Sequence, residues 1–393
     1  MIMSRFDRAR LVGIALMVIA VPVWTQAQVD ENARIAQSLV SSGDSARLEQ
    51  VLAKARRGQP LTIGVIGGSI TAGAGASSPA TCYGRLIGDW WQAKFPKCKI
   101  TFVNAGIGAT GSNYGALRAK RDLLSQNPDF VVVEFAVNDS DDKACAETLE
   151  GLLRQVLSWP TRPAVVLLFT MQRNGANAQD WHGKVGAHYH LPMISFRDAL
   201  WPEIVAGHLK WEDVEADIVH PNDRGHAYAA RFVTAFLESQ MENLKGKRSP
   251  SRIKRLPKPL ISDLFEHVAL LEAADLMPIS NQGWTLDQTG KASWQTRQPG
   301  SVLEFEIPGS AVLIMDWHIR GPEGQARVQV DDLPPVLRDG WFDQTWGGYR
   351  GTFELARGLK NKKHRVRVEL LEEKNPQSTG HEFKIFGFGA AGI

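Results

Sequence analysis

Between residues 61 and 241 the chain alternates short apolar runs with longer segments of helical spacing, a pattern that leaves few folds open. Runs at 61–66, 99–103, 130–135, 164–169 and 193–196 read as five strands rich in β-branched residues. Segments 83–95, 113–124, 145–157, 181–188 and 224–241 read as helices, the last long and amphipathic. Strands that are apolar on both sides need cover on both faces, which crossover helices supply. The pattern predicts a three-layer α/β domain around a parallel sheet, with functional residues at the carboxyl ends of the strands. Ahead of it, residues 30–57 carry a polar helical pattern broken at Ser41-Ser42-Gly43-Asp44.

The pattern stops near Leu244. Residues 245–258 hold seven Lys and Arg, two Pro and no acid. This stretch reads as a solvated, partly extended linker, with a docking strip for an acidic polymer or a membrane as the alternative. Beyond it the period changes to two, at 301–307, 327–330, 364–370 and 383–386, with Gly and Pro between the runs. That is the signature of an antiparallel β-sandwich. The expected organisation is therefore a helical segment at 28–58, a catalytic α/β domain at 59–244, a basic linker at 245–259 and a sandwich at 260–393. With 393 residues, 44% of them hydrophobic, the chain has enough apolar surface for both cores. Its 45 basic and 42 acidic residues nearly balance, which gives no support for a nucleic-acid partner.

Residues 1–27 read as a leader to be removed. Arg5, Arg8 and Arg10 precede an uncharged apolar stretch at 11–23, and Thr25-Gln26-Ala27 offers small residues for cleavage. The apolar stretch falls short of the ~20 residues that span a bilayer, so stable membrane insertion is not expected. Export to the periplasm or medium follows, and an oxidising compartment permits one disulfide among Cys82, Cys98 and Cys145. No group of His, Cys and carboxylates has metal-ligand spacing, and no cofactor is expected.

Gly67-Gly68-Ser69-Ile70-Thr71-Ala72-Gly73 directly follows the first strand, so Ser69 falls on a strand-to-helix turn at the sheet edge. The segment has neither a P-loop lysine nor the glycine spacing of a dinucleotide site, which leaves a nucleophile as its better use. Asp217-Ile218-Val219-His220 lies before the final helix, where a loop crosses the same edge. A histidine there takes the serine proton, and a carboxylate three residues earlier fixes its tautomer. His182, His188 and His226 compete as bases, His226 from inside a helix where packing is the simpler role. Two further strand ends, Asn104-Ala105-Gly106-Ile107-Gly108-Ala109 and Ala136-Val137-Asn138-Asp139, offer amide and backbone donors for an oxyanion. Asp139 is expected to cap the next helix.

These four blocks, in this order, resemble the SGNH (GDSL-type) hydrolase superfamily, and the match covers about residues 61–241. The resemblance implies a flavodoxin-like fold with Ser69 as nucleophile, His220 as base and Asp217 as its orienting acid. It implies an oxyanion hole from Ser69, Asn138 and a backbone N–H of Gly108 or Ala109. Gly68 departs from the usual Asp before the serine, and Ala136 from the usual Gly of the third block.

An apparent export signal, an appended sandwich and the absence of an apolar lid favour a carbohydrate substrate. The sandwich has five tryptophans, most of them expected in its core, and residues 341–349 form the segment best placed to reach a ligand. Some carbohydrate acetylesterases pair a jelly-roll with this catalytic fold, often with the sandwich first. The expected activity is removal of O-acetyl groups from an acetylated glycan through an acyl-enzyme. The alternatives are a lipid or thioester acylhydrolase and a non-catalytic glycan-binding protein.

Overall fold

The computed structural model describes residues 24–245 and 249–393. The expected leader lies outside the described residues except for its last four positions, as do Lys247 and Arg248 of the linker. The chain enters through α1 (Trp24–Ser38), β1 (Leu39–Ser41) and α2 (Ala46–Arg56). Then come β2 (Leu61–Gly67), α3 (Ser69–Ala72), α4 (Tyr83–Lys94), β3 (Ile100–Gly106) and α5 (Ser112–Asp122). They are followed by β4 (Phe130–Glu134), α6 (Lys143–Ser158), β5 (Ala164–Phe169) and α7 (Gln179–His188). The first unit ends with β6 (Met193–Ser195), α8 (Phe196–Val205) and α9 (Asp223–Asn243). No described helix is long and apolar enough to cross a membrane.

The sheet order is β3-β2-β4-β5-β6-β1, with β2 to β6 mutually parallel. Its two faces are read directly from alternate residues. Ile63, Val65, Phe130, Val132 and Val166 pack under α2, α4, α8 and α9. Ile66, Val131, Val133, Val165 and Leu167 pack under α5, α6 and α7. Every residue of β4 and β5 is buried, the result of cover on both sides. The chain leaves β2 toward β3 on one side and returns to β4 on the other. This reversal opens a crevice at the carboxyl ends of β2 and β4, the place where open α/β sheets bind ligands.

Two elements were not foreseen. β1 pairs antiparallel with β6 and closes the sheet edge, but three half-exposed residues carry no readable alternation. α8 starts where the strand was expected to end, because the Ser195 hydroxyl ends β6 and accepts the Asp198 N–H at 2.9 Å as a helix cap. The permitted disulfide is absent: Cys82, Cys98 and Cys145 are all free thiols.

In the second unit every ladder between strands is antiparallel. It runs through β7 (Val268–Glu272), β8 (Ser280–Gln282), β9 (Thr285–Asp287) and β10 (Ser293–Thr296). It continues with β11 (Val302–His318), β12 (Gln325–Val330), β13 (Val336–Asp339), β14 (Tyr349–Leu370) and β15 (Phe383–Ala391). The β-sandwich hangs on β11 and β14, which pair along almost their whole length with a break in register between Gly309 and Ala311. The first half of β11 also pairs with β8, and its second half with β15. Leu303, Phe305, Ile307, Ile314, Val366 and Val368 fill the core, with Trp284 and Trp294 beside them. Each such side chain contributes roughly 1.5–3 kcal/mol by leaving water.

The units share apolar surface. Phe265, Ala311, Leu313 and Ala391 belong to the same buried cluster as the α6 residues Leu149, Leu152 and Val156. Met315 joins Tyr114 and Leu117 of α5 in a smaller one. Gly389 lies so close to α5 that a Cβ there would come within 2.5 Å of Leu117 Cδ1. Around this contact Arg350 donates to the Tyr114 hydroxyl at 2.5 Å, Asn113 to the Thr352 carbonyl at 2.9 Å and Arg357 to Glu147 at 3.1 Å.

Candidate active site

Ser69 is the first residue of α3, two residues beyond the end of β2, with Gly68 between them. A first-turn N–H has no intrahelical acceptor, which leaves the Ser69 backbone donor available to a ligand. Its hydroxyl lies 2.9 Å from His220 Nε2. The opposite ring nitrogen, Nδ1, lies 2.7 Å from Asp217 Oδ2. Asp217 Oδ1 accepts the backbone N–H groups of Val219 and His220 at 2.8 and 2.9 Å. Partial burial alone would raise this carboxyl. The bonds from His220 and Val219 outweigh it and hold the group below its ordinary value. An ionised Asp217 in turn fixes the proton on Nδ1 and leaves Nε2 to accept from Ser69.

Both residues sit on one tight loop. The Ala216 N–H donates to the His220 carbonyl at 2.7 Å, and the Asn222 N–H to Val214 at 3.0 Å. Asn222 then caps α9 with its side chain. A second tie runs from the loop after α3: Ser77 donates to Asp223 from both its hydroxyl and its N–H, and Thr81 donates from its hydroxyl. These donors hold Asp223 down at about 2. The serine loop and the start of α9 are thereby fastened together.

Across the crevice Asn138 follows β4. Its Oδ1 is buried without a partner against Gly68, where a Cβ would come within 1.9 Å of it. Gly68 therefore makes room for Asn138. Gly108 is also a neighbour: a Cβ built on it would stand 3.8 Å from Ser69 Cβ. The adjacent Ala109 adopts φ 54°, an uncommon left-handed conformation for a residue with a side chain. Asn104 faces elsewhere, donating to the Thr71 carbonyl at 2.8 Å and bracing α3.

The other histidines are engaged away from Ser69. His182 is buried 3.1 Å from Asp139, His188 pairs with the Lys258 carbonyl, and His226 lies between the Tyr83 N–H and the Ala74 carbonyl. Asp139 does not cap α6; Asp142 does, accepting the Cys145 N–H at 2.9 Å. Asp139 turns inward instead, where it also accepts the Ser112 N–H at 2.8 Å. It thus links the turns after β3 and β4.

Three supports escaped the sequence reading. Arg118, fully buried, donates to the carbonyls of Ala105 and Gly67 at 2.6 and 3.0 Å and ties the ends of β3 and β2 together. Glu134, buried at the end of β4, accepts the Thr170 hydroxyl at 2.7 Å, and burial lifts it to about 7. Glu215, two residues before Asp217, has both carboxylate oxygens buried and unpartnered. Burial, with the charge of Asp217, pushes it to about 9.

Residues 65–228 match the model of the GDSL-like lipase/acylhydrolase family. Over 91% of its length the chain superposes on 98% of a two-domain esterase active on acetylated mannans, with 32% identity and a TM-score of 0.84. The chain belongs to the GDSL-like lipase/acylhydrolase family. The same esterase co-crystallised with mannopentaose gives a TM-score of 0.83 at the same identity and coverage. A search of curated proteins found no match. This GDSL-family protein is a carboxylic ester hydrolase with a carbohydrate-esterase architecture.

In this family member a groove of about 350 Å³ runs from Asn138 and Gly111 to the sandwich. Its far wall is Tyr349, Arg350, Thr352 and Phe353 of β14. Residues 341–349 stand beside it with Phe342, Trp346 and Tyr349 in mutual ring contact. Of the five sandwich tryptophans only Trp284 and Trp294 are buried; Trp317 and Trp341 are half-buried and Trp346 is 59% exposed, fewer in the core than expected.

Proposed function

We propose that this protein is an exported serine esterase that removes O-acetyl groups from a polysaccharide or oligosaccharide, with acetylated mannan the first substrate to test. The observation that carries the reading is the hydrogen-bonded relay Ser69–His220–Asp217 at the edge of the β2–β4 crevice. Its two-domain likeness to an esterase active on acetylated mannans supports the substrate class.

In this reading Ser69 Oγ attacks the acetyl carbonyl while its proton passes to His220 Nε2. Asp217, held ionised by its three donors, stabilises the imidazolium. The oxyanion is met by the backbone N–H groups of Ser69 and Gly108 and by the side-chain amide of Asn138. Gly108 is taken as the second backbone donor because a Cβ built on it would stand 3.8 Å from Ser69 Cβ, with Ala109 next to it as the alternative. His220 then gives the proton to the departing sugar hydroxyl, and water, activated by the same histidine, releases acetate from the acyl-enzyme. All of these groups are the chain's own, and no step needs a cofactor.

The groove toward β14 suits a glycan better than an acyl chain. Its lining mixes apolar residues with Thr110, Asn113, Ser140, Thr148 and, on the far wall, Arg350, and the aromatic cluster of Phe342, Trp346 and Tyr349 stands beside it. Acetate release from acetylated mannan, set beside nitrophenyl esters of rising chain length, tests the proposal. Release from the polymer and a preference for acetyl over octanoyl ester are expected. Preference for the long chain would overturn it.

A further inference from the structure

The edge of the parallel sheet opposite Ser69 carries a second groove, of about 880 Å³, between α2, the end of α6 and residues 252–259. Seven of the thirteen residues lining it are Lys or Arg, and none is acidic. Two of these have acidic partners: Arg154 pairs with Glu266 at 2.5 Å and Lys254 with Asp44 at 3.3 Å. Arg162, Arg252, Arg255 and Lys258 make no ion pair among the described residues and are exposed. Arg47 lies partly buried in the groove, its guanidinium donating to the Pro163 carbonyl at 3.4 Å, with the charge of Asp44 near but no ion pair among the described residues. Arg162, beside it, is held at φ 50°.

We propose that this groove binds an acidic glycan, a chain of uronate units whose carboxylates lie along Arg47, Arg162, Arg252, Arg255 and Lys258. Cations gathered without carboxylates repel one another, and a polyanion relieves that repulsion while releasing its own counterions. Burial and the neighbouring charge of Arg162 already pull Arg47 down to about 10. The guanidinium fork meets a carboxylate with two parallel bonds. The shape decides against a flat bilayer, which would touch the rim but leave Arg47 unreached. No large apolar side chain at the rim is exposed apart from Leu260. The charges are spread along a trough, which fits a chain with repeating charge better than a single small anion. That the chain is a glycan rests on the esterase reading above. The groove would hold the enzyme on an acidic matrix polymer while the crevice at the other edge works on acetyl groups.

The test is retardation of the full-length protein in native gels containing polygalacturonate, neutral mannan or inorganic polyphosphate, with flotation on phosphatidylserine vesicles alongside. Polygalacturonate should retard it, and about 1 M salt, where screening falls to ~3 Å, should abolish the effect. Replacing the four exposed cations together (Arg162→Ser, Arg252→Ser, Arg255→Ser, Lys258→Ser) should weaken binding by about tenfold or more, since each contributes mainly long-range charge. Turnover of nitrophenyl acetate should not change. Unretarded wild type, equal retardation of the fourfold variant, or binding to polyphosphate or vesicles without binding to polygalacturonate would each overturn the proposal. Retardation of a protein without esterase activity would support the groove while removing the enzymatic reading.

Discussion

In the proposed mechanism Ser69 and His220 gain their chemistry from hydrogen bonds that can be cut one at a time. Ser69→Ala is expected to lower kcat by on the order of 10⁶, with His220→Ala comparable, because such groups act as a unit. Asp217→Ala should cost less, since the imidazole remains. Acetate release and fluorophosphonate labelling check all three. Asn138→Ala should lower kcat by about 10²–10³ with little change in KM, as expected of a donor that meets the oxyanion more strongly than the substrate. Gly68 adds a sharper version. Its missing Cβ makes room for the Asn138 amide, so Gly68→Ala should lower kcat by pushing Asn138 aside. The double variant should lose little more than Asn138→Ala alone, the non-additivity of residues in contact. A full multiplication of the two losses would separate the roles. These residues were legible in the sequence because each belongs to a short block at a strand end. Arg118 was not, since the carbonyls it ties at Gly67 and Ala105 are brought to it only by the fold. The inward turn of Asp139 was hidden similarly, because its partner His182 is 43 residues away.

At the scale of elements, the loop that holds Asp217 and His220 also carries Glu215. An acid with a value of 4.5 when unfolded and about 9 when folded keeps a proton that the unfolded chain releases. Between those values each rise in pH favours unfolding, so this group's contribution is intact in acid and lost toward pH 9. Glu215→Gln should flatten that alkaline decline, raising the melting temperature relative to wild type at pH 8–9 but not at pH 4. Identical pH profiles of melting would show that Glu215 is not buried as a neutral acid. The five parallel strands and their helices were readable because both faces are buried and the runs are continuous. β11 was not readable in full: period two is clear at 301–307, but Pro308-Gly309 reads as a stop. The ladder instead resumes past a break in register and extends to His318.

Across the whole molecule the sandwich supplies more than an appended module. It closes the apolar faces of α5 and α6 and walls the groove beside Asn138. A chain ending at Lys245 should therefore aggregate, since it leaves a contiguous apolar patch in water. A milder probe is Gly389→Val, which would drive a side chain into Leu117. Its melting temperature should fall, and turnover of acetylated polymer should fall further than turnover of nitrophenyl acetate. Equal losses on both substrates would show that the contact with α5 matters only for stability. This contact was hidden from the sequence because small residues such as Gly389 and Ala391 carry it.

The place of β15 so far beyond α9 in the chain also sets an order of events during synthesis. The α/β unit is complete once α9 has emerged, yet the strand that seals α5 follows only after β7 to β14. The intervening stretch of roughly 150 residues takes about 7–30 s at ordinary rates of elongation. For that interval a finished catalytic unit travels with its seam open. The nascent chain is then a client for holding chaperones, and stop codons or proteolytic nicks late in the gene should be as damaging as lesions near Ser69.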